Sequence, residues 1–158
     1  MQVVSGLLGS ERMHYDAPHA EQLTEQMQQF LALFNADQGL DPVLKVGLAH
    51  FWFVTIHPFD DGNGRIARAI ADLQLTRADG TGQRCCSLSA QIQAERQAYY
   101  DLLENSQRGI LDLTSWLTWF LYCLGRALQT AEHTLTQVLA KVRFWERHRD
   151  TVFTARQW

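Results

Sequence analysis

The chain has 158 residues and a mass of 18.1 kDa, enough for one domain of ordinary size and too few for two. A composition 46% hydrophobic and 20% charged supports a buried core and excludes a disordered chain, while a net charge of −3 gives no global electrostatic reason to bind nucleic acid or an anionic membrane. Three cysteines, two of them adjacent at Cys85 and Cys86, make no disulfide framework and fit reduced thiols in a cytoplasmic protein. The N-terminus lacks the basic and long apolar regions of a signal peptide, and the most apolar later run, residues 116–124, is about half a membrane span.

Residues 2–15 (QVVSGLLGSERMHY) read as a β-hairpin, with Gly6 and Gly9 supplying the positive φ of a tight turn. From Pro18 the period changes: Leu23, Met27, Phe30, Leu31 and Phe34 mark one apolar face of a helix, with Glu21 and Glu25 suited to its N-terminal dipole and Gly39 ending it. Asp41-Pro42 reads as an N-cap followed by the first helical residue. Residues 43–56 (VLKVGLAHFWFVTI) are apolar almost all round and predict a buried central helix, terminated by Pro58. Residues 64–76 predict a further helix whose apolar side is Ile66, Ala69, Ile70 and Leu73, followed by a loop at 79–82. Three more helices are expected at 89–107, capped by Ser89, at 112–130, capped by Asp112, and at 133–148. The stripe Leu117, Phe120, Leu121, Leu124 and Leu128 reads as core, as do Trp116 and Trp119. Six or so helices with one hairpin make the fold class mainly α.

Residues 57–68, HPFDDGNGRIAR, stand apart, joining a buried helix to the next one. Gly62 and Gly64 let the backbone approach a ligand closely, and the amides of residues 62–65 face outward at a helix N-terminus that favours an anion. Arg65 and Arg68 lie on one side of the first turns, within reach of phosphate oxygens. Asp61 is a hard oxygen ligand for Mg2+ shared with a phosphate, and His57 titrates near neutrality and suits a general base. The set describes phosphoryl or nucleotidyl transfer. Three other readings compete. Asp-Gly with Asn-Gly is ordinary turn composition. Gly62-x-Gly64-x-x-Ala67 matches a degenerate dinucleotide fingerprint, but Pro58 and polar residues separate it from the apolar run and no second strand follows. His50, His57 and Asp61 as hydrolase metal ligands are disfavoured by the aromatic bulk around His50, which reads as a core histidine.

The same stretch resembles the signature of Fic domains, His-x-Phe-x-Asp/Glu-Gly-Asn-Gly-Arg-x-x-Arg, and all eight specified positions agree. The glycine-punctuated N-terminus is similar to the Fic flap, SERMHYDAP to the stretch that follows it, AERQAYYDLLENSQRG to the nucleotide-base helix, and LTSWLTWFLYCL to the closing core helix. The resemblance implies a Fic-fold helical bundle over residues 1–150, with a β-hairpin flap at about 2–16. It implies transfer of AMP from ATP to a Ser, Thr or Tyr hydroxyl of a target protein. In that scheme His57 takes the hydroxyl proton, Asp61 holds Mg2+, and the Gly62-Asn63-Gly64 backbone with the Asn63 side chain forms the anion hole. Arg65 and Arg68 hold the β- and γ-phosphates, Phe59 anchors the loop in the core, and Tyr99, Tyr100 and Gln107 bracket the adenine. The flap, about residues 3–14, clamps the target by adding its strand edge to an extended peptide.

The family's inhibitory helix, Ser/Thr-x-x-x-Glu-Gly/Asn, is not found: Glu104-Asn105 is the only such pair, and Tyr100 precedes it. The expectation is a catalytic core cut from a longer protein, with residues 151–158 beginning a link to a C-terminal module. Retention of both glycines favours AMP over phosphate transfer. Other nucleotide or phosphocholine donors, de-AMPylation and a nucleotide-binding interaction module are the alternatives, and a homodimer is among the partners left open.

Overall fold

The structure is a computed structural model and describes residues 2–5, 12–36, 39–80, 86–108, 112–149 and 151. Two short strands come first, β1 (Gln2–Ser5) and β2 (Arg12–Asp16), paired antiparallel with Gln2 opposite Asp16 and Ser5 opposite Arg12. Residues 6–11, with both glycines of the expected turn, lie outside the described residues, as do Cys85 and most of the expected link at 151–158. The rest is helical: α1 (Ala20–Asn35), α2 (Pro42–Ile56), α3 (Asn63–Asp79), α4 (Leu88–Ala94), α5 (Arg96–Arg108) and α6 (Thr114–Arg147).

α2 is the centre of the bundle, packed against α1, α3 and α6. Asp41 caps it, its carboxylate accepting from the Val43 and Leu44 amides at 2.8 and 3.1 Å, with Pro42 at the first position. Gly47 lets α6 approach. A methyl group there would meet Leu117 and Phe120 at 3.1 Å, and the Gly47 carbonyl accepts from the buried Trp116 indole at 3.0 Å.

Several helices have the expected period but a rotated buried face. On α1, Phe30 and Phe34 are buried and Leu23 and Met27 lean on the core, whereas Leu31 is exposed. On α3, Ile66 and Leu73 face outward, and the residues packed inward are Ala67, Ala71, Gln74 and Leu75. Short side chains permit close approach of α3 to α2, and Gln74 is buried because it has a partner: its amide donates to the Phe34 carbonyl at 2.8 Å. Arg77 stacks over the Phe34 ring at 4.6 Å, closing the end of α1. α3 runs to Asp79 and ends on left-handed Gly80, so the expected loop begins one residue late and its remainder lies outside the described residues.

The expected helix at 89–107 is two helices, and its cap is Ser87, accepting from the Ala90 amide at 3.2 Å, not Ser89. The break falls at Glu95. Its carboxylate accepts from Arg126 at 2.7 and 2.5 Å, from the Trp119 indole at 3.1 Å and from Gln91 at 2.6 Å, which pins the corner to α6. Conversely, the two expected C-terminal helices are one, α6, of 34 residues. Asp112 caps it from one residue further out, accepting from the Thr114 amide at 2.9 Å. Its buried side is Trp116, Phe120, Cys123, Leu124 and Ala127, so the tryptophans pack as expected while Leu121 and Leu128 are exposed. Cys86 and Cys123 form no disulfide. No helix among the described residues is long and apolar enough to cross a membrane.

Candidate active site

The motif segment is the connection between the C-terminus of α2 and the N-terminus of α3, and these two helices are each other's principal packing partners. The close pairing fixes where the two ends meet, so the six connecting residues, 57–62, are held by their ends.

His57 is the C-cap of α2, with φ 50° and ψ 56°, the one non-glycine residue at positive φ among the described residues. A left-handed conformation costs a residue with a β-carbon about 1 kcal/mol. The capping bond from its amide to the Phe53 carbonyl, at 3.1 Å, offsets part of this and turns the chain out of the helix before Pro58. The His57 ring is half-buried. Nδ1 donates to the Val54 carbonyl at 3.3 Å, and since a carbonyl only accepts, that contact places the proton of the neutral ring on Nδ1 and the lone pair on Nε2. Burial lowers the His57 pKa, with the Val54 carbonyl pulling weakly the other way, so the ring is neutral and basic at physiological pH. Val54 escaped the sequence reading, although the last turn of any helix offers unpaired carbonyls.

Gly62 caps α3 in the left-handed region, φ 88°, which only glycine adopts without strain. The Ile66 amide donates to the Gly62 carbonyl at 2.9 Å, so the amides of Asn63, Gly64 and Arg65 precede the first intrahelical bond, and no side chain caps them. Unpaired amides at a helix N-terminus are the kind of donor set that favours an anion. Both arginines lie close to this turn: a methyl group at Gly62 would be 3.5 Å from Arg65 Nη2, and one at Gly64 would be 3.9 Å from Arg68 Nη1. Arg65 is exposed and pairs with the exposed Asp61 at 2.7 Å, whereas Arg68 is half-buried and its charge reaches both His50 and Tyr99.

Asn63 differs from expectation. It is buried, and both ends of its side-chain amide are bonded to Phe59: Oδ1 accepts from the Phe59 amide at 3.0 Å and Nδ2 donates to the Phe59 carbonyl at 2.5 Å. The side chain is a clasp that closes the loop on α3, so the donors left unpaired at this turn are backbone amides. Phe59 also differs from expectation. Its ring is 49% exposed and only edges toward Phe53, at 6.5 Å between centroids, so its main chain and not its side chain anchors the loop.

The three residues expected around adenine separate. Tyr99 is buried, its hydroxyl 3.0 Å from His50 Nε2 and its ring against Trp116 and Trp119, which leaves no face for a base. Burial raises its pKa strongly. Tyr100 is half-exposed beneath the Arg96 guanidinium, at 5.5 Å, and Gln107 donates to the Thr55 hydroxyl at 3.0 Å, tying α5 to the last turn of α2. His50 is a core histidine, as expected: it is fully buried, stacked on Trp116, and its pKa is pushed down to about 4 by desolvation, with the Ala67 backbone pulling the other way and the Arg68 charge lowering it further.

Asp61 is the one residue expected to hold a metal ion. Among the described residues no three His, Cys, Asp or Glu side chains are grouped to hold an ion. That donor set fits Mg2+, which takes one or two carboxylates and completes its shell with water and substrate phosphates.

Residues 3–75 match the family model described as Fic/DOC family, a stretch that spans the paired strands, α1, α2, the motif loop and most of α3. This is a Fic/DOC family domain. Protein adenylyltransferase Fic of Culex quinquefasciatus is 33% identical over 113 residues, 70% of this chain and 21% of that protein. Protein adenylyltransferase fic-1 of Caenorhabditis elegans is 37% identical over 60 residues, 37% of this chain and 12% of that protein. The crystal structure of a Fic family protein from Desulfovibrio desulfuricans G20 superposes with a TM-score of 0.66 at 26% identity, covering 78% of this chain and 36% of the other. The Fic chain described here thus spans about a fifth of the length of the first of these relatives.

Proposed function

We propose that this Fic domain transfers AMP from ATP to a hydroxyl side chain of a target protein, with His57 as general base. The observation that carries the reading is the state of His57. Its Nδ1 is engaged by the Val54 carbonyl, its Nε2 lone pair is available, and it stands one short loop from the unpaired amides that open α3. The α- and β-phosphates would lie on the amides of Asn63, Gly64 and Arg65, where the helix dipole and preorganised donors favour charge that develops at the α-phosphate. The target hydroxyl oxygen attacks the α-phosphorus as its proton passes to His57 Nε2. The bond to the β-phosphate oxygen breaks, and pyrophosphate leaves with its charge against Arg65 and Arg68. Asp61 would hold Mg2+, which would supply neutralisation of phosphate charge; the ion pair with Arg65 would open as the Arg65 guanidinium turns to the phosphates and leaves the Asp61 carboxylate free for the ion. Because both groups are more than 70% exposed, that opening requires little, well under about 1 kcal/mol.

Tyr100 and Gln107, not Tyr99, would flank the adenine. The antiparallel pair β1–β2, which lies against α5, would offer an edge to an extended target segment. The name of these relatives, protein adenylyltransferase, supports the same chemistry. The test is incubation with ATP labelled at the α-phosphate and Mg2+ in cell lysate, wild type beside His57→Ala. Labelled protein with wild type, reduced by about 10²–10⁴-fold in the variant, is the expected result for loss of a general base. Equal labelling by both proteins, or transfer of label from the γ-phosphate instead, would overturn it.

A further inference from the structure

The C-terminal half of α6 extends beyond the core with an apolar strip exposed along it. Leu128, Leu135, Val138, Leu139 and Val142 are each 43 to 52% exposed. With Ala131, four of them follow a heptad: Leu128, Leu135 and Val142 recur every seven residues, and Ala131 and Val138 fall three residues after the first two, with Leu139 on the flank beside Val138. Two heptads of 3–4 spacing have the pattern of a short seam between two helices, since that spacing keeps one line of side chains facing a partner helix of matching pitch. Helices without packing are marginal in water, and most helical stability in proteins comes from a buried apolar face. Here α4 covers one flank only, leaving an open groove between Ala90 and Ala94 on α4 and Thr130, Thr134 and Val138 on α6.

We infer that this strip is a dimer seam, and that its occupant is α6 of a second copy of the chain, aligned parallel. Two observations select that occupant. The first is area. Five half-exposed aliphatic side chains, four on the seam and Leu139 beside it, expose roughly 400 Å2, the size of a functional patch on a monomer. With polar flanks in the usual proportion this corresponds to about 1,300 Å2 buried between two copies, within the range of stable interfaces. The second is charge. Relative to the heptad, Lys141 precedes a seam position and Glu146 lies five residues on, the spacing at which flanking residues of parallel helices meet. Two copies in parallel set each Lys141 against Glu146 of the other, twice by symmetry. In antiparallel alignment Glu146 would instead face Glu132 or the aliphatic Leu139, with no attraction at that flank.

The test is sedimentation equilibrium of the 158-residue chain from about 1 to 100 μM, with circular dichroism confirming the helical content of each variant. Wild type is expected to approach twice 18.1 kDa. Leu135→Glu, at an exposed position, should be monomeric throughout. Lys141→Glu and Glu146→Lys should each weaken association by about 5- to 20-fold, from two attractive contacts turned repulsive. The double reversal should recover most of the wild-type association. A monomeric wild type, association indifferent to Leu135→Glu, or single reversals without effect would each overturn the proposal.

Discussion

Replacing Asn63 with alanine separates two roles that one motif residue could play. The side chain is 3% exposed and makes two hydrogen bonds to the Phe59 main chain. Each such bond contributes about 1 kcal/mol net, and leaving the half-buried Phe59 groups without partners raises the loss toward 2–3 kcal/mol. For a domain of this size, a loss of that order lowers Tm by about 5–10 °C. The backbone amides of residues 63–65 stay on α3 in the variant, so nucleotide affinity should fall only a few-fold. Turnover should fall further, by about 10²-fold, because the loop that carries His57 is no longer fastened to α3 and small misplacements of a catalytic group are costly. Thermal unfolding, calorimetric titration with ATP and a single-turnover transfer assay read the three quantities separately. The clasp is refuted if Asn63→Ala melts within a degree or two of wild type while ATP affinity drops 50-fold or more. That outcome would mean the side chain leaves Phe59 and serves the phosphates directly.

Other substitutions probe the remaining assignments. His50 is fully buried and its pKa is lowered from 6.5 to about 4, so between those values the unfolded chain holds the extra proton and stability falls as pH falls. The loss by pH 4 is on the order of 3 kcal/mol, and urea unfolding should show this slope in wild type and lack it in His50→Gln. Tyr99→Phe should lower stability by about 1 kcal/mol through the lost His50 bond and leave ATP affinity within about twofold. Tyr100→Ala should do the reverse, weakening ATP by about 5- to 10-fold for a lost stacking face, as calorimetric titration would show. Gly47→Val should cost about 3 kcal/mol in denaturant unfolding, since even its first carbon would press on Leu117 and Phe120 at 3.1 Å. The acid limb of the transfer rate should fall below pH 6.5, because burial lowers the His57 pKa and the neutral ring is the reactive form; a limb above 6.5 would contradict the assigned environment.

Periodicity located the helices better than it located their faces. The buried side of α3 is built of alanines, Gln74 and Leu75, while the larger Ile66 and Leu73 face out. Hydrophobicity alone ranks Ile66 above Ala67, but a helix packed closely on α2 requires small residues at the contact, and that requirement belongs to the partner helix. Glu95 shows a related limit. Nothing in its neighbours marks a helix break; the break follows from Arg126, Trp119 and Gln91, two of them on α6 and distant in sequence. The Asp41-Pro42 start of α2 was legible because its cause is local, a carboxylate within reach of amides two and three residues ahead.

The motif shows the same division on a smaller scale. Residue types and spacing were enough to indicate a base, a carboxylate, an amide-lined helix start and two guanidinium groups in one junction, because each is a property of a side chain or of glycine itself. They could not indicate which atom meets which. Asn63 carries a donor and an acceptor, and a main chain turning four residues earlier presents the complementary pair at Phe59. The clasp therefore needs only these two residues, and a pattern of letters reads the same with the side chain turned inward or outward. Phe59 follows from this: once its amide and carbonyl hold the loop, its ring has no structural need of the core, and its half-exposure on the motif loop is the result. Tyr99 and Tyr100 divide for the same reason. Adjacent residues on a helix point about 100° apart, so only one of the pair can reach the His50–Trp116 cluster, and burial of Tyr99 leaves Tyr100 as the ring able to receive a base.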